Sequence, residues 1–214
     1  MNLLLAIKRF FAPREEKERI AELTALIKER CVATTTELPP EAQKKPKELE
    51  EVFGIQSDED FFFGLVDRSL YTLNNIGRDQ MPDGEKVIEL IYCYRFEAGG
   101  GGTTTYLTND TGDDAEHLDW AMEIIGEPNL ANMFKKIKKA FPRGVIPSDR
   151  VKRCDHMELW EGKFEKLCNA MDDLYFESEE SETENLVSKA ARWARENKHV
   201  FEPVGLGNGA SRRA

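Results

Sequence analysis

Few residues of this 214-residue chain are spaced for covalent or metal chemistry. Its histidines are His117, His156 and His199, and no His-x-x-x-His pair occurs. His117 follows Asp113 and Asp114, a grouping that suggests a metal or an acid–base pair. The second nitrogen ligand is missing, so a surface histidine near a helix start is the plainer expectation. His156 and Cys154 stand two apart, and on a helix they point to different faces. Cys31, Cys93, Cys154 and Cys168 form no Cys-x-x-Cys pair, which predicts free, buried thiols in a reducing compartment. Asp172 and Asp173 diverge on a helix, so a catalytic carboxylate pair would need a partner from elsewhere. A Gly-x-Ser-x-Gly nucleophile motif is absent. The run Gly99–Gly102 could gather backbone amides around an anion. Neither a Gly-Lys-Ser/Thr sequence nor a dinucleotide fingerprint accompanies it, so it reads as a connector between helices. The rival reading is a loop pocket made by Gly101, Gly102, Tyr106 and Asn109. No metal and no cofactor is expected.

The charges are more informative, because they are sorted into blocks. Asp110, Asp113, Asp114, Glu116, Asp119, Glu123 and Glu127 follow one another without a Lys or Arg. From Pro128 to Arg153 come Lys135, Lys136, Lys138, Lys139, Arg143, Arg150, Lys152 and Arg153, against the single acid Asp149. From Asp155 to Glu184 there are eleven acids against Lys163 and Lys166. The blocks carry −7, +7 and −9. Sorted charge builds extended fields that attract or repel charged partners. The formal charge of the whole chain is −10, so direct nucleic-acid binding is disfavoured.

The elements that must position these charges read as helices. Ile20, Leu23 and Ile27 give an amphipathic helix over Glu15–Arg30. A proline-bearing connector follows, with one short helix near Lys47–Phe53. Ser57 before Asp58, Glu59 and Asp60 is a helix start; Phe62, Leu65, Val66, Leu73 and Ile76 form its stripe, and Gly77 its stop. Gly84–Glu97 reads as a helix, with a buried strand over Val87–Phe96 as the rival. Ala98–Thr111 is too rich in glycine for regular helix. Leu118–Ile125 and a helix opened by Pro128 come next. Asp149 is expected to cap one long helix reaching past Tyr175, and a last helix spans about Glu182–Lys198. The fold class expected is all-α: an antiparallel, bundle-like multi-helix domain with an N-terminal helical extension. Residues 1–56 are the helix and linker, 57–202 the domain, and 203–214 a tail. Leu3-Leu4-Leu5 is too short to span a bilayer and has no basic leader, so no membrane role and a cytoplasmic location are expected.

From Gln80 to Val200 the chain resembles the bacterial DNA-mimic protein family. The resemblance rests on Gly101-Gly102, Tyr106, Asn109 and Gly112-Asp113, then Ile125-Gly126 and Phe141-Pro142. It continues through Pro147-Ser148-Asp149-Arg150, Leu167 and Met171-Asp172-Asp173-Leu174-Tyr175. The chain departs from the family pattern at Gly100, Thr103 and Thr105, and the +7 block interrupts a uniform acidic surface. The resemblance implies an all-helical domain, often dimeric. It also implies an acidic surface that imitates duplex phosphates to occupy a DNA-binding protein.

The expected function is therefore a non-enzymatic acidic protein that presents carboxylates to a basic, DNA-binding protein partner. The carboxylates expected there are Asp110, Asp113, Asp114, Glu116, Asp119 and Glu123, with Glu177, Glu179 and Glu180. Two alternatives stay open. One is an immunity-type inhibitor or dimeric scaffold. The other is a ligand-binding protein or enzyme using the Gly99–Gly102 loop with Tyr106, Asn109 and His117.

Overall fold

A computed structural model describes residues 45–181 and 183–202. The expected helix over 15–30 and the expected tail lie outside them. Every regular element among the described residues is helical. In order they are α1 (Leu49–Phe53), α2 (Asp58–Asn75), α3 (Asp83–Thr108), α4 (Leu118–Ile124) and α5 (Pro128–Lys138). Then come α6 (Arg150–Leu159), α7 (Glu161–Glu179) and α8 (Leu186–Glu196), with short 3-10 turns between them.

The helix starts follow local chemistry. The Ser57 side chain accepts from the Asp60 amide, and the Asp149 side chain from the Lys152 amide. Pro128 occupies the first turn of α5, where its missing N–H costs nothing. Gly77 and Gly126 stand just past the ends of α2 and α4 with φ of 97° and 84°, values that glycine adopts freely.

The core is built around α3. Val87, Ile88, Leu90, Ile91, Tyr94 and Ala98 are all buried. This wide apolar coverage is what a central helix needs, and it resembles a buried strand in sequence. α7 lies antiparallel on α3: Glu179 pairs with Arg95, and Asp172 meets Thr103. Phe164, Cys168, Met171 and Tyr175 form its buried stripe. α5 packs against α4 and α7 through Leu130, Ala131, Phe134 and Ile137. α8 packs on α2 with Leu186, Ala190 and Ala194, four residues apart. Val52 of α1 is fully buried in the same core, so the short helix expected in a linker contributes to the domain.

Two expectations are corrected. The long helix after Asp149 is two, because the backbone leaves helical geometry at Trp160, with φ −122° and ψ 31°. Cys154 and Cys168 thus lie on different helices. The glycine run, expected as a connector, is helical through Gly101 and lies inside α3, which kinks only at Gly102. The helix persists there because Ala98 on one side and Thr103, Tyr106 and Leu107 on the other are buried, which outweighs glycine's poor propensity.

One buried pair is poorly satisfied. Glu85, in the first turn of α3, is 1% exposed. Its nearest ion partner is Arg68 of α2 at 3.6 Å, and both Glu85 Oε2 and Arg68 Nε lack hydrogen bonds among the described residues. Burial pushes the Glu85 carboxyl above its ordinary range, against the opposing pull of the Thr72 hydroxyl and Arg68. The folded state therefore binds a proton more readily than the unfolded chain. Its stability contribution rises as pH falls from the raised pKa toward the ordinary carboxylate range. Glu85→Gln removes this response. In urea titrations the variant gains on the wild type at pH 7, and that advantage shrinks at pH 5. An advantage that is constant with pH would contradict the assignment.

Candidate partner-binding surface

The first acidic block lies on the 3-10 turns between α3 and α4 and on α4 itself. The structure brings it against the chain's own cations. Asp110 pairs with Arg150 at 3.2 Å, Asp113 with Arg153 at 2.8 Å and Asp114 with Arg78 at 2.9 Å. Lys138 reaches Glu116 at 3.1 Å and Asp119 at 3.2 Å. Lys135 pairs with Glu123, and Lys189 with the buried Glu127. Burial alone would lower the Lys138 pKa, but hydrogen bonds from its ammonium to Glu116 and Asp119 outweigh this and raise it. Glu116 also accepts the Ile146 amide at 2.7 Å. The six carboxylates of this block expected to face a partner are thus each matched inside the chain. The basic block supplies four of the five cations that hold them, and Arg78 is the fifth.

Arg153 anchors this arrangement. It is fully buried, and all five of its N–H groups donate. The acceptors are the carbonyls of Leu107 (2.9 Å), Asn109 (2.7 Å), Pro147 (2.9 Å) and Ser148 (2.8 Å), and Asp113 Oδ1 at 2.8 Å. One guanidinium thereby joins the end of α3, the first acidic turn and the proline-bracketed turn. The sequence displayed it only as one base among eight.

The residues of the expected loop pocket turn inward. Gly102 has φ 80° and ψ 175°, and the helix restarts at Thr103. The Thr103 amide and hydroxyl both donate to Asp172 Oδ1, at 2.7 and 2.6 Å. Asp172 is therefore a helix cap supplied from α7 rather than half of a catalytic pair. Tyr106 is fully buried with its ring edge-on to Tyr94, and its hydroxyl has no hydrogen-bond partner among the described residues. The Asn109 side-chain amide Nδ2 donates to Glu97 at 2.9 Å. His117 is exposed, and His156 stacks on Phe141 with a ring nitrogen 3.0 Å from the Ala140 carbonyl. Cys93, Cys154 and Cys168 are free, and burial raises all three thiols, Cys168 to about 11. Among the described residues no three His, Cys, Asp or Glu side chains are placed to hold a metal.

The second acidic block behaves differently. Glu179 turns in, accepting from Arg95 at 3.2 Å and from the Leu186 amide at 3.1 Å. Glu177 and Glu180 face outward with no partner among the described residues, and so does Asp173. Residues 173, 177 and 180 share one helix face by their four- and three-residue spacing. No Lys or Arg occurs between Leu167 and Ser188 to neutralise them. Asp155, Glu158, Glu161 and Glu165, also exposed and unpaired among the described residues, extend the acidic surface toward α6, beside Lys163 and Lys166.

Residues 79–197 match the family described as DMP19-like protein. The chain belongs to the DMP19-like protein family. That family is one of DNA-mimic proteins. No curated protein and no solved structure matches the chain. The DMP19-like match takes in α3 to α8, and so both acidic blocks, Arg153 and the kink at Gly102. It leaves out α1 and α2, yet Val52, Phe61, Phe62 and Leu65 from these helices lie in the same buried core as the matched segment, and the Arg195 guanidinium lies 4.1 Å from the centre of the Phe61 ring. Among the described residues no helix is long and apolar enough to cross a membrane.

Proposed function

We propose that the protein is a non-enzymatic DNA mimic that presents the carboxylates of α7 to the basic surface of a DNA-binding protein. The observation that carries this reading is the exposed set Asp173, Glu177 and Glu180, unpaired among the described residues and on a stretch of sequence without cations. Glu165, Glu161, Glu158 and Asp155 extend the same field. On a helix the three central carboxylates follow one another by roughly 5 Å of axis. This is the same order as the phosphate repeat of about 3.4 Å along one DNA strand. Charge of this kind acts on encounter rate and orientation, and is screened over about 8 Å at physiological ionic strength.

The first block has a supporting part. Asp110 and Glu123 pair with Arg150 and Lys135 near the surface, where such pairs contribute only about 0–1 kcal/mol. A partner's arginine can exchange into them at little cost. Asp113, Asp114, Glu116 and Asp119 mainly hold the fold that carries the surface.

The test is capture of proteins from a lysate by the immobilised chain at roughly 50 mM salt. Wild type retains a DNA-binding protein that duplex DNA displaces and that roughly 200 mM salt releases. The triple variant Asp173→Lys, Glu177→Lys, Glu180→Lys retains at least about tenfold less of it. Equal retention by the variant, or retained proteins that duplex DNA does not displace, would refute the proposal.

A further inference from the structure

The outward face of α7 is not purely acidic. Phe176 lies on it, three residues after Asp173 and four before Glu180, and is 53% exposed. On the neighbouring helix Phe96 is 64% exposed. The two rings belong to adjacent turns of helices in contact, because the Tyr175 hydroxyl donates to the Arg95 carbonyl at 3.5 Å and Arg95 pairs with Glu179 at 3.2 Å. One turn after Phe96 the surface of α3 is bare: Gly99 and Gly100 are exposed and have no side chains. A purely electrostatic DNA decoy has no use for two large exposed rings among its carboxylates, and burial in the core was open to neither, since each sits on the solvent side of its helix.

We infer that this face reads arginine, and that its occupant is an arginine-bearing segment of the basic partner. The inference rests on the DNA-mimic reading above. A guanidinium is planar and weakly hydrated, and it can stack on an aromatic face while its N–H fork engages a carboxylate. Here the rings of Phe176 and Phe96 supply the faces, and Asp173, Glu177 and Glu180 supply the acceptors. A lysine ammonium gains the charge attraction but stacks less well and cannot form the fork. The cations facing this surface are Arg95, whose charge is matched by Glu179; Lys189 of α8, which lines a depression with Glu177 and is paired with Glu127 and Glu184; and Lys163 and Lys166, two or more turns away on the N-terminal half of α7. An arginine approaching Asp173 and Glu180 therefore meets no uncompensated positive charge.

The experiment measures binding of two dodecapeptides, alternating arginine with alanine and lysine with alanine, to the whole chain by fluorescence anisotropy. Wild type binds the arginine peptide about fivefold or more tighter than the lysine peptide. Phe176→Leu with Phe96→Leu, which keeps apolar bulk at exposed positions, brings the two affinities within about twofold while leaving the lysine affinity unchanged. If both peptides bind wild type equally and the triple lysine variant of α7 loses both, the acidic reading stands and the arginine preference is overturned. If neither peptide binds more tightly to wild type than to that triple variant, both readings are overturned.

Discussion

Arg153→Met lowers the unfolding free energy by about 3–5 kcal/mol, the range for removing one side of a buried charged cluster. Methionine fills much of the arginine volume, so the loss reports hydrogen bonds more than a cavity. Four carbonyl oxygens, of Leu107, Asn109, Pro147 and Ser148, lose a donor at once; Asn109 keeps the Gly112 amide at 3.1 Å, and the other three are left without one among the described residues. Each orphaned acceptor costs about 1–3 kcal/mol if it stays dry. Water reaching the two turns relieves part of this, so the costs do not simply add. The thermal midpoint falls by roughly 10 °C for a domain of this size. Arg153→Lys separates charge from geometry. Lysine keeps the positive charge near Asp113 but has three donors and no fork, so it recovers well under half of the loss. Full rescue by lysine would show that only the charge matters, contrary to the five-bond arrangement.

Gly102→Ala is expected to destabilise by about 2–4 kcal/mol, combining strain in a glycine-only backbone region with a disturbed cap. A Cβ at Gly102 would lie 2.5 Å from Asp172 Oδ2, so the carboxylate must retreat from the Thr103 amide and hydroxyl. Two residues earlier the same change acts in the opposite sense. Gly100 is helical, and a Cβ there meets nothing within 4 Å. Gly100→Ala therefore stabilises by about 0.5–1 kcal/mol through a less flexible unfolded chain and better helix propensity. Chemical denaturation of the two variants side by side decides the matter. Equal effects, of either sign, would contradict a kink localised at Gly102.

The local helix signals were legible in sequence. Ser57, Gly77, Gly126, Pro128 and Asp149 all act through contacts within a few residues, and they stand where such residues start or stop helices. The glycine run misled because its helix is held by tertiary partners. Asp172 caps it from 69 residues away, and no local pattern announces that. The break at Trp160 was hidden for a similar reason, since α6 and α7 join without proline or a positive-φ glycine. The charge blocks were visible, but their mutual pairing was not. Arg153 reaches Asp113 across 40 residues, and Lys138 reaches Asp119 across 19. Composition records that acids and bases alternate in blocks; only the packing of the helices decides that the first acidic block is matched while the second is open at Asp173, Glu177 and Glu180 but closed at Asp172, Glu179 and Glu184. The spacing of Asp173, Glu177 and Glu180 held a usable signal, because on any helix they share a face and no cation lies near them in sequence.

The most direct test compares two sets of charge variants against the DNA-displaceable partner while salt is varied. One set is Asp173→Lys, Glu177→Lys, Glu180→Lys on α7; the other is Asp110→Lys with Glu123→Lys in the matched block. The α7 set is expected to remove most of the affinity and flatten its dependence on salt, whereas the other set changes affinity by less than about threefold. A partner that tolerates the α7 reversals and is lost with Asp110 and Glu123 would contradict that expectation.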